Sequence, residues 1–151
     1  MNALQHVKHV QAIPPAAILD NASATATEID ATGAGYVSIV LNLGATDIAV
    51  TALKVQESAT SGGSFSDISG ATFDGGTDTG GGTLVLPSAT DDDQVCVFQI
   101  DMKGRESYLK VVATFGDGTA GGFIAGTAII SRVDGPLLSD TDYADGGVCR
   151  V

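Results

Sequence analysis

The chain has 151 residues and a net charge of −11 from 18 acidic and seven basic residues, with 20 glycines and no tryptophan. This length suits one compact domain with a sizeable core, and an apolar run of the ~18 residues that a membrane helix needs is missing. The acidic excess argues against a nucleic-acid partner and against an anionic membrane surface, because both are bound through clustered Lys and Arg.

The start of the chain predicts a separate N-terminal arm over residues 1–15. Four apolar residues recur in it at every third position: Leu4, Val7, Val10 and Ile13. This spacing fits a short amphipathic helical turn, and an arm that docks on a neighbouring protein is the equal alternative. Pro14 and Pro15 end the segment, because proline does not continue a helix. No signal peptide is expected, since a long apolar stretch with a small-residue cleavage site is missing.

Residues 16–133 predict a single domain of short β-strands, because Val, Ile and Thr alternate with polar residues between clusters of Gly, Ser and Asp. The predicted strands span residues 16–20, 24–29, 36–43, 48–57, 65–68, 84–86, 95–102, 107–115 and 122–133. The parity of the apolar residues changes near residues 51–53, which predicts a β-bulge there.

Two segments predict irregular structure. Residues 70–83 are rich in glycine and lack periodicity, which is typical of a mobile loop. Residues 134–151 predict a C-terminal tail. The number and spacing of the strands predict an all-β fold, a jelly-roll-like antiparallel β-sandwich with an extended N-terminal arm and the C-terminal tail.

Motifs for catalysis or zinc binding are incomplete. Asp78-Thr79-Gly80 matches the aspartic-protease motif, but glycines flank it where an apolar strand should bury the carboxylate, so a flexible loop is expected. His6 and His9 can share one helical face, but no third or fourth zinc ligand lies nearby in the sequence. The sequence therefore predicts no enzyme, no catalytic residue, no cofactor and no metal ligand.

The loop aspartates are typical formers of turns. They are the run Asp91, Asp92 and Asp93, with Asp74, Asp78 and Asp117. Calcium held by their oxygens is the open alternative, although a twelve-residue calcium loop that ends in glutamate is missing.

The two cysteines, Cys96 and Cys149, have neither a metal-binding nor a redox spacing. Cys96 lies in an apolar run and is expected in the core, whereas Cys149 in the glycine-rich tail is expected to be exposed. A disulfide between them is not expected in a reducing cytosol.

Two stretches carry a resemblance to known proteins. They are residues 43–58 (LGATDIAVTALKVQES) followed by 65–68 (FSDI), and residues 103–113 (KGRESYLKVVA) with the terminal strand 125–132. The pattern resembles small β-rich virion proteins of tailed bacteriophages, including cement (decoration) proteins of the capsid, over roughly residues 16–133. The resemblance implies a jelly-roll-like sandwich on the outer capsid surface, often a trimer or dimer, with no catalytic residues.

The expected function is therefore structural. Made in the host cytoplasm, the chain is expected to bind the major capsid protein and stabilise the shell, with partner contacts in the arm and the tail. The candidate contact residues are Leu4, Val7, Val10, Ile13, Tyr143 and Val148. A tail or baseplate component of the virion is one alternative. A carbohydrate-binding adhesive sandwich is the other, and would present aromatic platforms.

Overall fold

A computed structural model describes residues 7–131 and contains eight β-strands in that range. They are β1 (Val7–Ile13), β2 (Ile29–Asp30), β3 (Tyr36–Thr46), β4 (Val50–Ser58), β5 (Ser66–Thr72), β6 (Val95–Asp101), β7 (Tyr108–Phe115) and β8 (Gly122–Ser131). Two antiparallel four-stranded sheets pack against each other, sheet A in the order β1-β8-β3-β6 and sheet B in the order β2-β7-β4-β5. The predicted all-β antiparallel sandwich is confirmed. No helix in residues 7–131 has the length and apolar character to cross a membrane.

Alternating side chains build the core between the sheets. In β7, Leu109, Val111, Ala113 and Phe115 are buried while the residues between them are half-buried. The same period of two in β3, β6 and β8 points one set of apolar side chains inward. Aliphatic residues form most of this core, and Phe115 is the largest fully buried side chain.

A β-bulge in β4 lies where the change of parity predicts it. Val50 is opposite Phe115 and Ala52 is opposite Thr114, which leaves Thr51 as the extra residue. Because of this extra residue, Val50 and Leu53 both face the core although they are three positions apart. The predicted bulge is confirmed.

The N-terminal segment corrects two predictions, the helical turn and the domain boundary after residue 15. Val7–Ile13 is an edge strand that pairs with β8, and Val10 and Ile13 are buried. A register shift after Gln11 makes Ala12 the extra residue, so this bulge, and not a helix, gives the spacing of three between Val10 and Ile13. Residues 7–13 therefore belong to the sandwich and are not a detached arm.

Several other predicted strands are shorter, longer or absent in the structure. The strands predicted at 16–20 and 24–29 are reduced to isolated bridges at Leu19 and Ser23 and to the two residues of β2. Residues 84–86 do not form a strand. The loop predicted from residue 70 begins later, because β5 continues to Thr72 along the edge of sheet B. The last part of β5 pairs with β4 although none of its side chains is fully buried, so the apolar pattern gave no sign of a strand there.

Candidate binding surfaces

The outer face of sheet A is almost free of charge. Its outward positions, set by strand register, are Val7, His9 and Gln11 of β1, Phe123, Ala125, Thr127, Ile129 and Ser131 of β8, Tyr36, Ser38, Val40 and Asn42 of β3, and Val95, Val97, Gln99 and Asp101 of β6. Asp101, at the margin, is the one carboxylate among them, and none is Lys or Arg. We call this surface the neutral face.

Large apolar side chains are concentrated on the neutral face. Of the six exposed ones in residues 7–131, four lie here: Tyr36 at 41%, Val95 at 61%, Val97 at 42% and Phe123 at 44% exposure. A shallow, mostly apolar groove beside Phe123 extends the patch towards Pro15. Val95 and Val97 lie on the same side of β6, and Val40 is opposite Val97, so these three valines form an apolar group. Exposed apolar groups of this kind mark candidate interaction surfaces.

The outer face of sheet B is different, because it carries charge. Lys54 of β4 forms an ion pair with Asp67 of β5 at 2.6 Å, and Gln56 also donates a hydrogen bond to Asp67 at 2.7 Å. Lys110 of β7 lies on the same side, with its ammonium 5.8 Å from the centre of the Phe65 ring. The low charge of the neutral face is therefore a property of one sheet and not of both.

Acidic side chains gather at one end of the sandwich. At this end β3 stops while β6 and β8 start. The loops here hold six aspartates: Asp20, Asp47, Asp91, Asp92, Asp93 and Asp117. None of these loop residues is Lys or Arg. We call this the acidic end.

The opposite end carries charges of both signs, with acidic residues that include Asp30 and Glu106, and it holds both ends of the described chain. Val7 of β1 pairs with Ser131 of β8, so these two residues lie side by side. The turn after β6 supplies Lys103 and Arg105, and the Arg105 guanidinium lies 3.3 Å from a Glu57 carboxylate oxygen. We call this the terminal end.

Asp47 fastens the loop between β7 and β8 at the acidic end. Its two carboxylate oxygens accept hydrogen bonds from the backbone N–H groups of Thr119 at 3.0 Å, Ala120 at 2.7 Å and Gly121 at 2.7 Å. These donors, that of Ala120 first, hold the pKa of Asp47 below its ordinary value. The carboxylate is already occupied by the loop, so its role here is structural.

Replacing Asp47 by asparagine is expected to lower the melting temperature at pH 7. The folded-state pKa is depressed, so the carboxylate stabilises the fold above the unfolded value of about 3.9, and this contribution is lost as the pH falls through the folded pKa. The difference between wild type and D47N should therefore shrink below about pH 4. D117N, in the β7–β8 loop that Asp47 binds, is the matched control, because it removes a charge without removing this acceptor. An equal effect of D117N in thermal scans across pH would contradict the prediction.

A groove of about 320 Å³ separates the edge strands β5 and β6. Thr77, Asp78 and Thr79 line one side, and Val97 and Gln99 line the other. The Asp78 carboxylate accepts backbone N–H bonds from the glycines that follow it, at 2.7 and 2.9 Å. The Asp78-Thr79-Gly80 motif is thus a loop turn at the rim of the groove.

Three of the six residues predicted to contact a partner lie in the described range, and they do not form one surface. Val7 lies at the terminal end, and Val10 and Ile13 are buried between the sheets. The other three, Leu4, Tyr143 and Val148, lie outside the described residues, as do His6 and Cys149. Cys96 is buried, as predicted, and burial raises the pKa of its thiol. In residues 7–131, no three or more His, Cys, Asp or Glu side chains lie close enough together to hold a metal ion.

Sequence reasoning missed the neutral face, although a signal for it exists. The stretches of β3 and β8 contain no charged residue at either parity, whereas β4 and β7 contain lysine at outward positions. No protein-family model matches the chain, and a search of curated proteins finds no match.

Proposed function

We propose that this chain is a structural protein of a tailed-bacteriophage virion, which binds the outer capsid surface and cements the shell of major capsid protein. The observation that supports the proposal is the difference between the two ends of the sandwich. Six aspartates and no basic residue occupy the loops of the acidic end, while Val7 and Ser131 lie paired at the terminal end. An attached subunit with its terminal end towards the shell keeps the acidic loops in solvent, where they favour solubility.

We also infer that the sandwich is a jelly roll. The strand pairs are nested like one long folded hairpin: β1 with β8, β2 with β7, β3 with β6 and β4 with β5. Two four-stranded sheets in the orders described above support this topology. Jelly rolls occur in viral capsid domains and in lectins, so this topology is compatible with a virion role and with carbohydrate binding, and the surfaces decide between them.

The first test is the copy number of the chain in purified virions, measured by quantitative mass spectrometry against the major capsid protein. A ratio near one, or a simple fraction that fits the symmetry axes of the shell, is expected. Copies in the tens would replace the capsid location with a tail or baseplate location. Absence from the virion would overturn the proposal.

Removing residues 1–6 and 132–151 together is expected to weaken binding to capsids that lack the protein by about tenfold or more. The truncation leaves every described strand in place, so circular dichroism and the melting temperature should stay close to wild type. D93N is the matched control at the acidic end, because asparagine also tolerates the positive φ of 55° at this position. Capsid binding that survives the truncation but falls in D93N would reverse the proposed orientation.

A carbohydrate-binding function is the second candidate, and the groove between β5 and β6 is the observation that favours it. Thr77, Thr79 and Gln99 offer hydroxyl and amide groups that can bond to sugar hydroxyls. The exposed aromatic rings Tyr36 and Phe123, however, lie on the neutral face and not in the groove, so the usual stacking platform is elsewhere. A glycan array separates the two functions: binding that Gln99→Ala abolishes would favour the sugar.

A further inference from the structure

We propose that the neutral face is a dimer interface that packs against the neutral face of a second copy of this chain. The proposal concerns assembly in solution and goes beyond a role in the virion. It stands or fails independently of capsid binding.

The distribution of charge on the chain favours a second copy as the partner that covers the neutral face. Each copy carries a net charge of −11, and like charges brought together across an interface cost several kcal/mol. Contact through the acidic end would bring six aspartates of each copy close to one another. The neutral face brings only Asp101 from each copy, at the margin of the sheet, so two copies can approach there with little repulsion. A strongly basic partner would gain more from the acidic end.

The size of the face fits a stable contact. Four strands at about 4.8 Å spacing and about eight residues at ~3.4 Å give a projected area of roughly 500 Å². Side chains such as Phe123 and Tyr36 project from the sheet, so the accessible area of the face is larger than its projected area. It approaches the ~800 Å² per partner of a standard interface. The face is therefore large enough to hold two copies together without help from the loops.

The side chains of the face suit packing between sheets. Val40 is opposite Val97 on one side and Thr127 on the other, so these three outward residues form a row across the middle of sheet A. Val and Thr pack well against another pleated surface, and stacked sheets lie about 10 Å apart. A two-fold axis through this row would set the same surface of each copy against itself, as an isologous interface requires.

The test is sedimentation equilibrium of the full chain with Val40→Glu and its matched control. Wild type is expected to be a dimer at micromolar concentration. V40E places a carboxylate close to its symmetry mate in a desolvated contact, and the dimer dissociation constant is expected to rise about 100-fold or more. V112E is the control: Val112 is also half-buried, points outward and lies on a central strand, but of sheet B, so it should leave the dimer intact.

A second variant keeps the test decisive if V40E unfolds the chain. Val97 lies on the edge strand β6 and is 42% exposed, so a folded monomer should tolerate Val97→Glu. This variant should also raise the dimer dissociation constant. A wild-type chain that stays monomeric up to about 100 μM would overturn the proposal, because an interface of standard size should hold well below that concentration. An equal loss of dimer in V112E, or a dimer that survives both V40E and V97E, would place the interface elsewhere.

Discussion

Replacing Phe115 by alanine is expected to lower the free energy of unfolding by about 3–5 kcal/mol, the usual cost of emptying an aromatic site in a core. Phe115 is 1% exposed and ends β7 opposite Val50. A Cβ added at Gly122 would overlap the Phe115 ring, so the backbone of β8 is packed directly against it. The chain has five phenylalanines and no tryptophan, and its aliphatic core offers little that can move into the space. Urea unfolding followed by circular dichroism measures the loss.

The reciprocal substitution tests whether this packing is specific. Gly122→Ala should cost about 1–3 kcal/mol through overpacking, because the new methyl group also meets Thr46 Oγ1 at 2.7 Å. Combining it with Phe115→Leu should recover part of that loss, as expected for residues in contact. The half-buried Phe65 is the control, and Phe65→Ala should cost clearly less than Phe115→Ala. Purely additive losses in the double variant would contradict the direct contact.

Deletion of residues 1–13 is expected to destabilise the fold by a large part of its total stability. It removes the buried side chains of Val10, Ala12 and Ile13, and it leaves one edge of β8 unpaired over most of its length. Burial of Val and Ile contributes about 1.5–3 kcal/mol each, so the two give roughly 3–6 kcal/mol against a typical total of 5–15 kcal/mol. The melting temperature and urea midpoint of the shortened chain measure this loss.

Deletion of residues 1–6 alone is the matched control, because β1 begins at Val7. This shorter deletion should leave the urea midpoint close to that of wild type. A chain without residues 1–13 that melts as wild type does would show that β1 adds nothing to the sandwich. For the same reason, an N-terminal deletion that is meant to separate attachment from folding in a capsid-binding measurement must stop before Val7.

The strong strands could be predicted from the sequence because alternation of apolar and polar residues reports burial directly. β3, β6 and β7 lie within a few residues of their predicted bounds. The bulge at Thr51 was also predictable, because it changes the parity of the apolar residues in β4. β1 was missed because its bulge at Ala12 turns a period of two into an apparent period of three. The segments around Leu19 and Ser23 make single bridges, too little pairing to impose a pattern.

The surfaces could not be predicted, because they depend on strand order. The neutral face joins β1, β8, β3 and β6, four strands that are far apart in the chain. Local patterning shows that Val40 and Val97 point away from a core, but only the pairing of β3 with β6 shows that they are neighbours. The acidic end is likewise assembled from separate loops, so Asp47 and Asp117 share it only after folding.

The position of β8 in sheet A has a consequence for synthesis on the ribosome. β8 lies between β1 and β3 and is the last of the described strands to be made. β1 therefore has no strand partner in sheet A until β8 leaves the exit tunnel, and β3 has only β6. Pairings between such distant segments fold slowly, in milliseconds to seconds, because a long loop must close first. Sheet A is thus completed after translation of the sandwich, and a nascent chain stalled before Gly122 would expose the edge of β3 and a free β1 to aggregation.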